Sequence, residues 1–358
     1  MHVVLSGYYG FDNVGDEAIL FSIITALRES QPEIKISVLT NDPQHTSDTY
    51  NVNAVNRWKM KEVSQVIKSA DGLISGGGSL LQDKTGMKSI PYYTGIMRIA
   101  YWHKTPVFIY AQGMGPINHS LSKWLVKRSL NKASQITVRD EDSKGLLDRI
   151  GVRKTISLVP DPVMGLEAST YRSEWLQSRS DLKSFISVSV RDWPTEVPFQ
   201  EKVAKALDQI SQEGNSIVFL PMHGEHDEAA SQEVSQLMSA ESFIAPYDAS
   251  IQEKIAIIGQ SRLLVGMRLH SLIFSAINYV PFVAISYDPK IDSFASICDQ
   301  PVAGHVDENN WNEDHIVNAA KQLLEDENTS RQKLKELVHP QQQAARNTAQ
   351  MAIEVFSS

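Results

Sequence analysis

The sequence predicts an α/β protein with two Rossmann-like domains that face a cleft. Short β-branched runs recur along the chain, and each is followed by a turn and then by a helical period, which is typical of parallel α/β folds. Several runs are apolar at consecutive positions, which predicts strands buried on both faces of a sheet. The length of 358 residues fits two domains of ordinary size.

The strands fall into two series, separated by a polar stretch from Ala168 to Lys183 that is predicted to be the linker. We therefore place the domains at residues 1–167 and 168–358. The tail from about Glu313 is helical by composition, and Pro340 is expected to break or kink it. The predicted strands are His2–Ser6, Lys35–Thr40, Gly72–Ser75, Val107–Tyr110, Ile136–Val138 and Thr155–Val159, then Phe185–Val190, Ile217–Leu220, Phe243–Pro246, Leu263–Val265 and Phe282–Ser286.

Charge and cysteine content exclude several classes of protein. The chain has 34 Lys and Arg against 42 Asp and Glu, and this formal charge of −8 argues against nucleic acid as the main partner. The single cysteine, Cys298, excludes a disulfide framework and favours a reducing compartment, the cytoplasm by default. The N-terminus lacks the cationic region of a signal peptide, and no stretch reaches about 18 uninterrupted apolar residues, so neither secretion nor membrane spanning is predicted.

A glycine-rich loop from Gly7 to Glu17 follows the first predicted strand, and a helix is expected from about Asp16. Its glycine spacing, G-x2-G-x4-G, matches neither the dinucleotide fingerprint nor a Walker loop. Two carboxylates at the start of a helix would repel a phosphate, so the loop is predicted to bind hydroxyl groups. The alternative is that Asp16 only caps the helix and the glycines only form a tight turn. The candidates for hydroxyl binding are Tyr9, Asn13 and Asp16.

Two more glycine-rich loops follow predicted strands. They are Gly76-Gly77-Gly78-Ser79-Leu80-Leu81-Gln82-Asp83 and Gln112-Gly113-Met114-Gly115-Pro116. Glycine after a buried strand allows a ligand or another backbone to approach closely. Close packing alone is the alternative. Because all three loops are expected at one sheet edge, we predict that they line the cleft, with Gly77, Gly78, Gln82 and Gln112 as candidates for contact with a ligand.

Three arginines at predicted strand ends, Arg139, Arg191 and Arg268, could together bind a small polyanion, since the guanidinium group matches carboxylate and phosphate geometry. Arg139 and Arg191 could instead form ion pairs with the aspartates that follow them. Arg268 and His270 lie between apolar runs, where a charge needs a partner and a histidine is suited to proton transfer. Tyr287 and Lys290 are expected at the same edge.

The segment Pro221–Asp227 brings two histidines and two acids to another strand end. Its His-x-x-His spacing could hold a metal, but it lacks the helical H-E-x-x-H spacing, and Gly224 favours a loop. A role in proton transfer or hydroxyl binding is therefore preferred, and no metal or cofactor is expected. The sequence also has no G-x-S-x-G elbow, which argues against covalent hydrolase chemistry.

Taken in order, these motifs resemble the polysaccharide pyruvyl transferase family, and most of all its CsaB-type members. The resemblance extends from residue 1 to about 290. It is carried by Gly-Tyr-Tyr-Gly-Phe-Asp-Asn-Val-Gly-Asp-Glu-Ala, Gly-Gly-Gly-Ser-Leu-Leu-Gln-Asp, Gln-Gly-Met-Gly-Pro, Val-Pro-Asp-Pro at 159–162 and Arg-Leu-His at 268–270.

The resemblance implies a GT-B-like pair of domains, the first on the acceptor side and the second on the donor side. It implies transfer of a pyruvyl group from phosphoenolpyruvate, as a co-substrate, to a sugar diol, giving a cyclic ketal and phosphate. For the CsaB-type branch it implies a lipid-linked precursor of a secondary cell-wall polymer, of the kind used in S-layer anchoring, with the ketal across O4 and O6 of β-linked N-acetylmannosamine.

Family residues transfer most directly to Arg268, Leu269 and His270, which the resemblance implies bind the donor. Arg139 is the first choice for a further donor arginine and Arg191 the second, with Lys290 nearby. We predict that His270 and Arg268 are catalytic, with His270 the acid or base on the donor side and Asp16 or Glu17 a base on the acceptor side. The alternatives are a sugar-nucleotide glycosyltransferase and a non-catalytic carbohydrate-binding protein of the same fold.

The segment from Lys84 to Arg139 has nine Lys and Arg and no Asp or Glu, so its formal charge is +9. The rest of the chain has a formal charge of −17. It also contains Tyr92, Tyr93, Tyr101, Trp102 and Trp124, and Lys123–Arg128 is predicted to be an amphipathic helix. We expect this segment to contact the anionic inner face of the membrane and the diphosphate of a lipid-linked acceptor. The alternative is an ordinary solvated helix face.

Overall fold

The structure, a computed structural model of the chain, describes residues 1–11, 13–84, 86–179, 182 and 184–358. It divides into two compact units: unit 1 contains Met1–Leu166 and Gln341–Ser358, and unit 2 contains Glu167–Pro340. Of the motifs discussed above, Asp12 of the first loop, Thr85 of the basic segment, and Ser180, Asp181 and Lys183 of the linker lie outside the described residues.

Unit 1 is built on parallel strands whose apolar runs are buried. Within the described residues its sheet has seven strands in the order β3-β2-β1-β4-β5-β6-β7. In the middle of the sheet, Leu5 pairs with Val38 on one side and with Ile74 on the other. The strands are β1 (His2–Ser6), β2 (Lys35–Thr40), β3 (Asn53–Asn56), β4 (Gly72–Gly76), β5 (Val107–Gln112), β6 (Gln135–Val138) and β7 (Ile156–Leu158).

Unit 2 repeats this arrangement with a parallel sheet in the order β10-β9-β8-β11-β12-β13. Strands β8, β11 and β12 are buried along their whole length, as their continuous apolar runs predict. The strands are β8 (Phe185–Ser189), β9 (Ser216–Phe219), β10 (Ser242–Ile244), β11 (Leu263–Gly266), β12 (Phe282–Ser286) and β13 (Val302–His305).

Helices follow most strands, and several begin at a side chain that accepts a backbone N–H, such as Asn13, Asp140 and Ser250. The helices are α1 (Val14–Ser30), α2 (Pro43–Tyr50), α3 (Met60–Lys68), α4 (Ser89–His103), α5 (Ser120–Leu130), α6 (Glu141–Ile150), α7 (Glu174–Gln177), α8 (Phe199–Ser211), α9 (Gly224–Leu237), α10 (Ile251–Gln260), α11 (Leu269–Ile277), α12 (Pro289–Ile297), α13 (Glu313–Glu325) and α14 (Glu327–Ser357), with 3-10 turns at Pro162–Gly165 and Ala168–Thr170.

The predicted α/β class is confirmed, and so are the strands of both series, with ends that shift by one or two residues. Two strands were missed. Strand β3 is half polar and lies at a sheet edge, and β13 is a short edge strand whose sequence, Val-Ala-Gly-His, has no long apolar run.

Of the break or kink expected at Pro340, the break does not occur, because α14 continues through it to Ser357. Proline removes one backbone donor, so the helix passes this position without that hydrogen bond. The division between the two units falls at this residue. Residues 341–358, which the sequence places with the second domain, pack in unit 1, where the ring of Phe356 lies 6.5 Å from that of Phe108.

Candidate active site

In unit 2 the strand order reverses between β8 and β11, where Ser189 pairs with Gly266. Open parallel α/β sheets bind ligands beyond the carboxyl ends of the strands at such a point. Arg191 comes two residues after β8, and Arg268 comes two residues after β11. The topology therefore brings two of the three predicted arginines to one edge of one sheet, whereas Arg139 belongs to unit 1.

Arg268 forms an ion pair with Asp227, whose side chain is 1% exposed. Its Nε donates to Oδ2 of Asp227 at 2.8 Å, and its Nη2 donates to Oδ1. Two parallel hydrogen bonds of this kind fix the plane of a guanidinium group. The pair supplies the partner that the apolar surroundings of Arg268 require, and the arginine side chain remains 18% exposed.

The loop after β9 is fixed around this ion pair. Oδ2 of Asp227 also accepts the backbone N–H of Met222, and the buried Lys254 donates from Nζ to the carbonyls of Pro221 at 2.7 Å and Tyr247 at 2.8 Å. Burial lowers the pKa of Lys254 to about 8, although Asp227 acts in the opposite direction. Sequence reasoning missed Lys254, whose only signal is its position directly before the apolar run 255–258.

The prediction that the segment up to Asp227 is a loop is wrong. Helix α9 begins at Gly224, so His226 and Asp227 lie in its first turn, where the helix dipole favours a carboxylate. His223 directly precedes the helix, and its ring centroid lies 5.7 Å from that of His226. Burial, followed by the charge of Arg268, lowers the pKa of His223, so this imidazole is neutral near pH 7 and can accept a proton.

Arg268 is the N-cap of α11, which places Leu269 and His270 in the first turn of that helix. The backbone carbonyl of Arg268 accepts both the N–H and the hydroxyl of Ser271, which fixes this turn. The first N–H groups of a helix attract anions, and here the ion-paired guanidinium of Arg268 lies beside them. His270 is half-buried, two residues from Arg268.

Arg191 does not pair with Asp192 through its carboxylate, and among the described residues it forms no ion pair. Its guanidinium lies 4.6 Å from the ring centroid of Tyr287 and 5.2 Å from that of Trp193. Cation–π contacts hold the charge in place without neutralising it. Lys290 lies in the first turn of α12 beside Asp288, with 3.4 Å between Nζ and Oδ2, and its side chain is 41% exposed.

A cavity of about 370 Å³ lies at the ends of β12 and β13. Its lining includes Asp288, Asp292, Asp307, Glu308 and His305, and His305 contacts Asp292 at 2.8 Å. Four carboxylates make this cavity unfavourable for a phosphate or carboxylate ligand. In the described ranges no group of three or more His, Cys, Asp or Glu side chains could hold a metal ion.

In unit 1 the β1–α1 loop is tied down by its own polar groups. Glu17, which is buried, accepts the N–H of Gly10 and the hydroxyl of Tyr50, each at 2.7 Å. The carbonyl of Gly76 accepts the hydroxyl of the buried Tyr9 at 3.3 Å, and Asn13 caps α1. These contacts give Glu17, Tyr9 and Asn13 structural roles, and Asp16 is half-buried in the first turn of α1.

The triple-glycine loop packs closely against the first turns of α1. Gly77 and Gly78 both have left-handed backbone angles, with φ of 54° and 64°. A Cβ atom on Gly78 would lie 2.6 Å from Oδ1 of Asp16, so the glycine allows the carboxylate to approach the backbone. Gln112 is fully buried and donates to Ser75 at 3.4 Å, which places it inside the sheet, whereas Gln82 is half-buried and accepts the N–H of Lys84.

Arg139 is engaged within unit 1. It pairs with Asp161 at 3.0 Å and with Asp140 at 3.6 Å, and Nη2 donates to Ser79 at 3.3 Å. The side chain is 12% exposed and lies against Gly113. Two carboxylates neutralise this arginine, so the structure gives the Val-Pro-Asp-Pro motif a role in fixing Arg139 beside the glycine-rich loops.

An aromatic cluster, defined here as Tyr8, Phe11, Trp58 and Tyr92, surrounds the guanidinium of Arg57 in unit 1. The Cζ atom of Arg57 lies 4.3 to 5.4 Å from the centroids of Tyr92, Phe11 and Trp58, and Tyr8 stacks on Phe11 at 4.1 Å. Sequence reasoning missed this cluster because it missed β3, the strand that Arg57 follows.

Comparison with solved structures shows the same fold over the whole chain. A putative UDP-N-acetylglucosamine 2-epimerase from Listeria monocytogenes matches with a TM-score of 0.70 and 14% identity, covering 99% of this chain and 95% of that one. Anabaena HepE in complex with UDP-glucose matches with a TM-score of 0.65 and 11% identity, covering 100% of this chain and 99% of that one. A glycosyltransferase from Rickettsia africae matches with a TM-score of 0.66 and 11% identity, covering 99% of this chain and 97% of that one. The predicted GT-B type of fold is thereby confirmed.

The fold and the strand ends that carry Arg191 and Arg268 define the chain as a parallel α/β protein of the GT-B type. The family model for polysaccharide pyruvyl transferase matches residues 13–289. This match covers most of the chain, so the protein belongs to the polysaccharide pyruvyl transferase family, as its motifs predict. Across the described residues, we find no helix with the length and apolar character needed to cross a bilayer.

Proposed function

We propose that this protein transfers a pyruvyl group from phosphoenolpyruvate to two hydroxyl groups of a polysaccharide acceptor, forming a cyclic ketal and phosphate. The observation that carries the proposal is the pair of arginines at the β8–β11 reversal, with Arg268 at the start of α11 and Arg191 beside it in the topology. A donor with a carboxylate and a phosphate on three carbons needs such a concentration of positive charge.

The chemistry sets what the site must do. The methylene carbon of the donor gains a proton and becomes a methyl group, while C2 develops positive charge and is attacked by one sugar hydroxyl. The bond from C2 to the phosphate oxygen then breaks, and the second hydroxyl closes the ketal ring. One of the two hydroxyl protons balances the proton delivered to the methylene carbon, and the other leaves with phosphate.

Each donor-side residue has a role in this scheme. Arg268 and the first N–H groups of α11, including that of Leu269, bind one anionic group of the donor, and Arg191 binds the other. His270 transfers the proton to the methylene carbon, and Lys290 adds positive charge at the same edge. Arg139 is the weaker candidate for donor binding, because Asp161 and Asp140 already neutralise it.

On the acceptor side we propose Asp16 as the base, because its side chain is half-buried, whereas Glu17 is buried and accepts from Gly10 and Tyr50. The acceptor we propose is β-linked N-acetylmannosamine in a lipid-linked precursor of a secondary cell-wall polymer, with the ketal across O4 and O6. This choice follows the resemblance of the motifs to CsaB-type members.

The test is incubation with phosphoenolpyruvate and a disaccharide that contains β-linked N-acetylmannosamine, in D₂O. We expect phosphate release and a ketal whose methyl group carries one deuterium from the solvent. A parallel incubation with UDP-glucose or UDP-N-acetylglucosamine tests the glycosyltransferase alternative. Release of UDP there, with no phosphate release from phosphoenolpyruvate, would reject the proposal.

Activity is expected to persist after treatment with EDTA and gel filtration. The arginines supply the positive charge that a divalent ion would otherwise bring to the donor phosphate. The measurement is the initial rate of phosphate release before and after chelation, with metal content checked by mass spectrometry. A complete loss of activity that one specific metal restores would contradict this expectation.

We also propose that helices α4 and α5 of unit 1 contact an anionic membrane surface. Eight of the nine basic residues between 84 and 139 are exposed, and in the described structure none of these eight forms an ion pair. Trp102 is 84% exposed, Trp124 is 53% exposed and Leu121 is 67% exposed. Tyr92 and Tyr93, in contrast, pack around Arg57 and are not part of this surface.

A variant with Lys123, Lys127, Arg128 and Lys132 changed to Gln is expected to bind anionic vesicles more weakly, by about two orders of magnitude or more, since each basic residue at such a surface contributes about 1 kcal/mol. The measurement is co-sedimentation with vesicles of phosphatidylglycerol and phosphatidylcholine at low salt. The control changes four exposed lysines elsewhere to Gln: Lys61, Lys68, Lys205 and Lys333. Equal binding by both variants would reject the membrane-facing role.

A further inference from the structure

The aromatic cluster of unit 1 presents open aromatic surface at the carboxyl edge of the sheet. Trp58 is 60% exposed and Tyr8 is 42% exposed, whereas Arg57 beneath them is 4% exposed. Tyr8 belongs to the loop after β1 and Trp58 to the segment after β3, so the cluster lies at the strand ends where ligands bind in this class of fold. None of its residues is used by the donor-side chemistry.

The rings are fixed before any ligand arrives. Trp58 lies 5.3 Å from Tyr92, and its Nε1 donates to Oδ1 of Asn41 at 3.4 Å. Tyr8 and Phe11 are stacked with an angle of 7° between their planes. Ordering of side chains is one of the main costs of binding, so rings that are already held in place bind a ligand at low entropic cost.

Arg57 explains how this arrangement is held together. Its Nη1 donates to the carbonyl of Gly7 at 3.1 Å and its Nη2 donates to the hydroxyl of Tyr93 at 3.2 Å. Its other neighbours are the aromatic rings, and among the described residues it has no carboxylate partner. The buried cation therefore joins the β1–α1 loop, the segment after β3 and α4 through hydrogen bonds and cation–π contacts.

We propose that this cluster is a subsite for a pyranose ring of the polysaccharide acceptor, an inference that rests on the proposed function. One face of a pyranose ring is lined by C–H groups and packs on an aromatic ring, while its hydroxyl groups at the edge bind polar groups. Trp58 and Tyr8 supply the rings. Asn41 lies beside Trp58, and Asp16 lies in the first turn of α1, the helix that follows the loop of Tyr8, so polar groups accompany the aromatic surface.

The test uses Trp58→Ala, with Trp58→Phe as the conservative variant and Leu237→Ala as the control. Leu237 is a large apolar side chain of unit 2 that is 51% exposed. We expect Trp58→Ala to raise the KM for the β-linked N-acetylmannosamine disaccharide about tenfold, with the KM for phosphoenolpyruvate unchanged. Trp58→Phe should restore most of the loss, and Leu237→Ala should match the native protein.

Saturation-transfer NMR with the same disaccharide and no phosphoenolpyruvate measures the subsite independently of catalysis. If the native protein binds the sugar and Trp58→Ala does not, the subsite is supported. This holds even if no ketal forms, a result that would reject the proposed reaction but not the subsite. Equal sugar signals for the native protein and Trp58→Ala would overturn the subsite. A dimer that Trp58→Ala dissociates, measured by sedimentation, would identify the cluster as an interface between copies and would also overturn it.

Discussion

An Arg268→Lys variant is expected to lose about 10²-fold or more in kcat/KM for phosphoenolpyruvate while remaining folded. The guanidinium is fixed by Asp227 through Nε and Nη2, so it can bind the donor only by using its remaining N–H groups at the same time. A lysine has a single charged nitrogen on a flexible stem, and it cannot make both contacts in one plane. A loss of this size corresponds to about 3 kcal/mol, in the range for removing a charged hydrogen bond.

The matched control for this variant is Arg262→Lys. Arg262 directly precedes β11, and it pairs with Glu327 at 2.9 Å, so it is an ion-paired arginine at the opposite end of the same strand. Its replacement should leave the kinetics of the donor unchanged. Thermal unfolding of both variants shows whether stability accounts for any loss. Native turnover by Arg268→Lys with an unchanged KM for phosphoenolpyruvate would mean that Arg268 does not contact the donor.

Asp227→Asn separates the charge of Arg268 from its alignment. The variant keeps the guanidinium but replaces a carboxylate that accepts two parallel hydrogen bonds with an amide that has a single acceptor oxygen. We expect a loss of donor binding that is smaller than that of Arg268→Lys, together with lower stability, because a half-buried arginine loses its charged partner. Asp227 is therefore a positioning residue in this scheme.

More of the fold than of the candidate site could be predicted from the sequence. The runs that became β8, β11 and β12 are mostly apolar, with only serine or glycine among their other residues, and burial on both faces of a parallel sheet follows from that pattern. The polar Asn53–Asn56 has no such pattern and was missed, although it pairs with β2 along its full length. Its strand character depends on the neighbouring strand and not on its own residues.

The sequence predicts that certain site residues require a partner, but it does not predict which residue the partner is. A charge between two apolar runs requires a partner, which predicts an ion pair for Arg268. Its partner, Asp227, lies 41 positions earlier and meets it only through the parallel topology. In the same way Glu17 was expected near a helix start, whereas its partner, Tyr50, comes 33 positions later. Contacts of this separation are set by strand order, which local patterns do not contain.

The His270→Ala variant is expected to bind phosphoenolpyruvate almost as tightly as the native protein does. Its kcat is expected to be lower by about 10²-fold or more. A positioned acid or base contributes roughly this much to a proton transfer. His270 lies in the first turn of α11, where we propose that Arg268 and the helix N–H groups bind the donor anion, so removing the imidazole is expected to leave that anion site in place. The measurements are kcat and, by calorimetry, the Kd for phosphoenolpyruvate.

Two further results assign the proton to His270 and not to His223, the other imidazole near Arg268. Burial and Arg268 keep the pKa of His223 below its usual value, so His223 would give a limb in the pH profile of kcat below that of an ordinary histidine. If His270 is the proton carrier, His270→Ala changes the pH profile of kcat, while the exposed control His315→Ala keeps the native profile. A variant that loses donor affinity alone, with kcat and its pH profile unchanged, would make His270 a ligand of the donor anion and would move the proton transfer to another group.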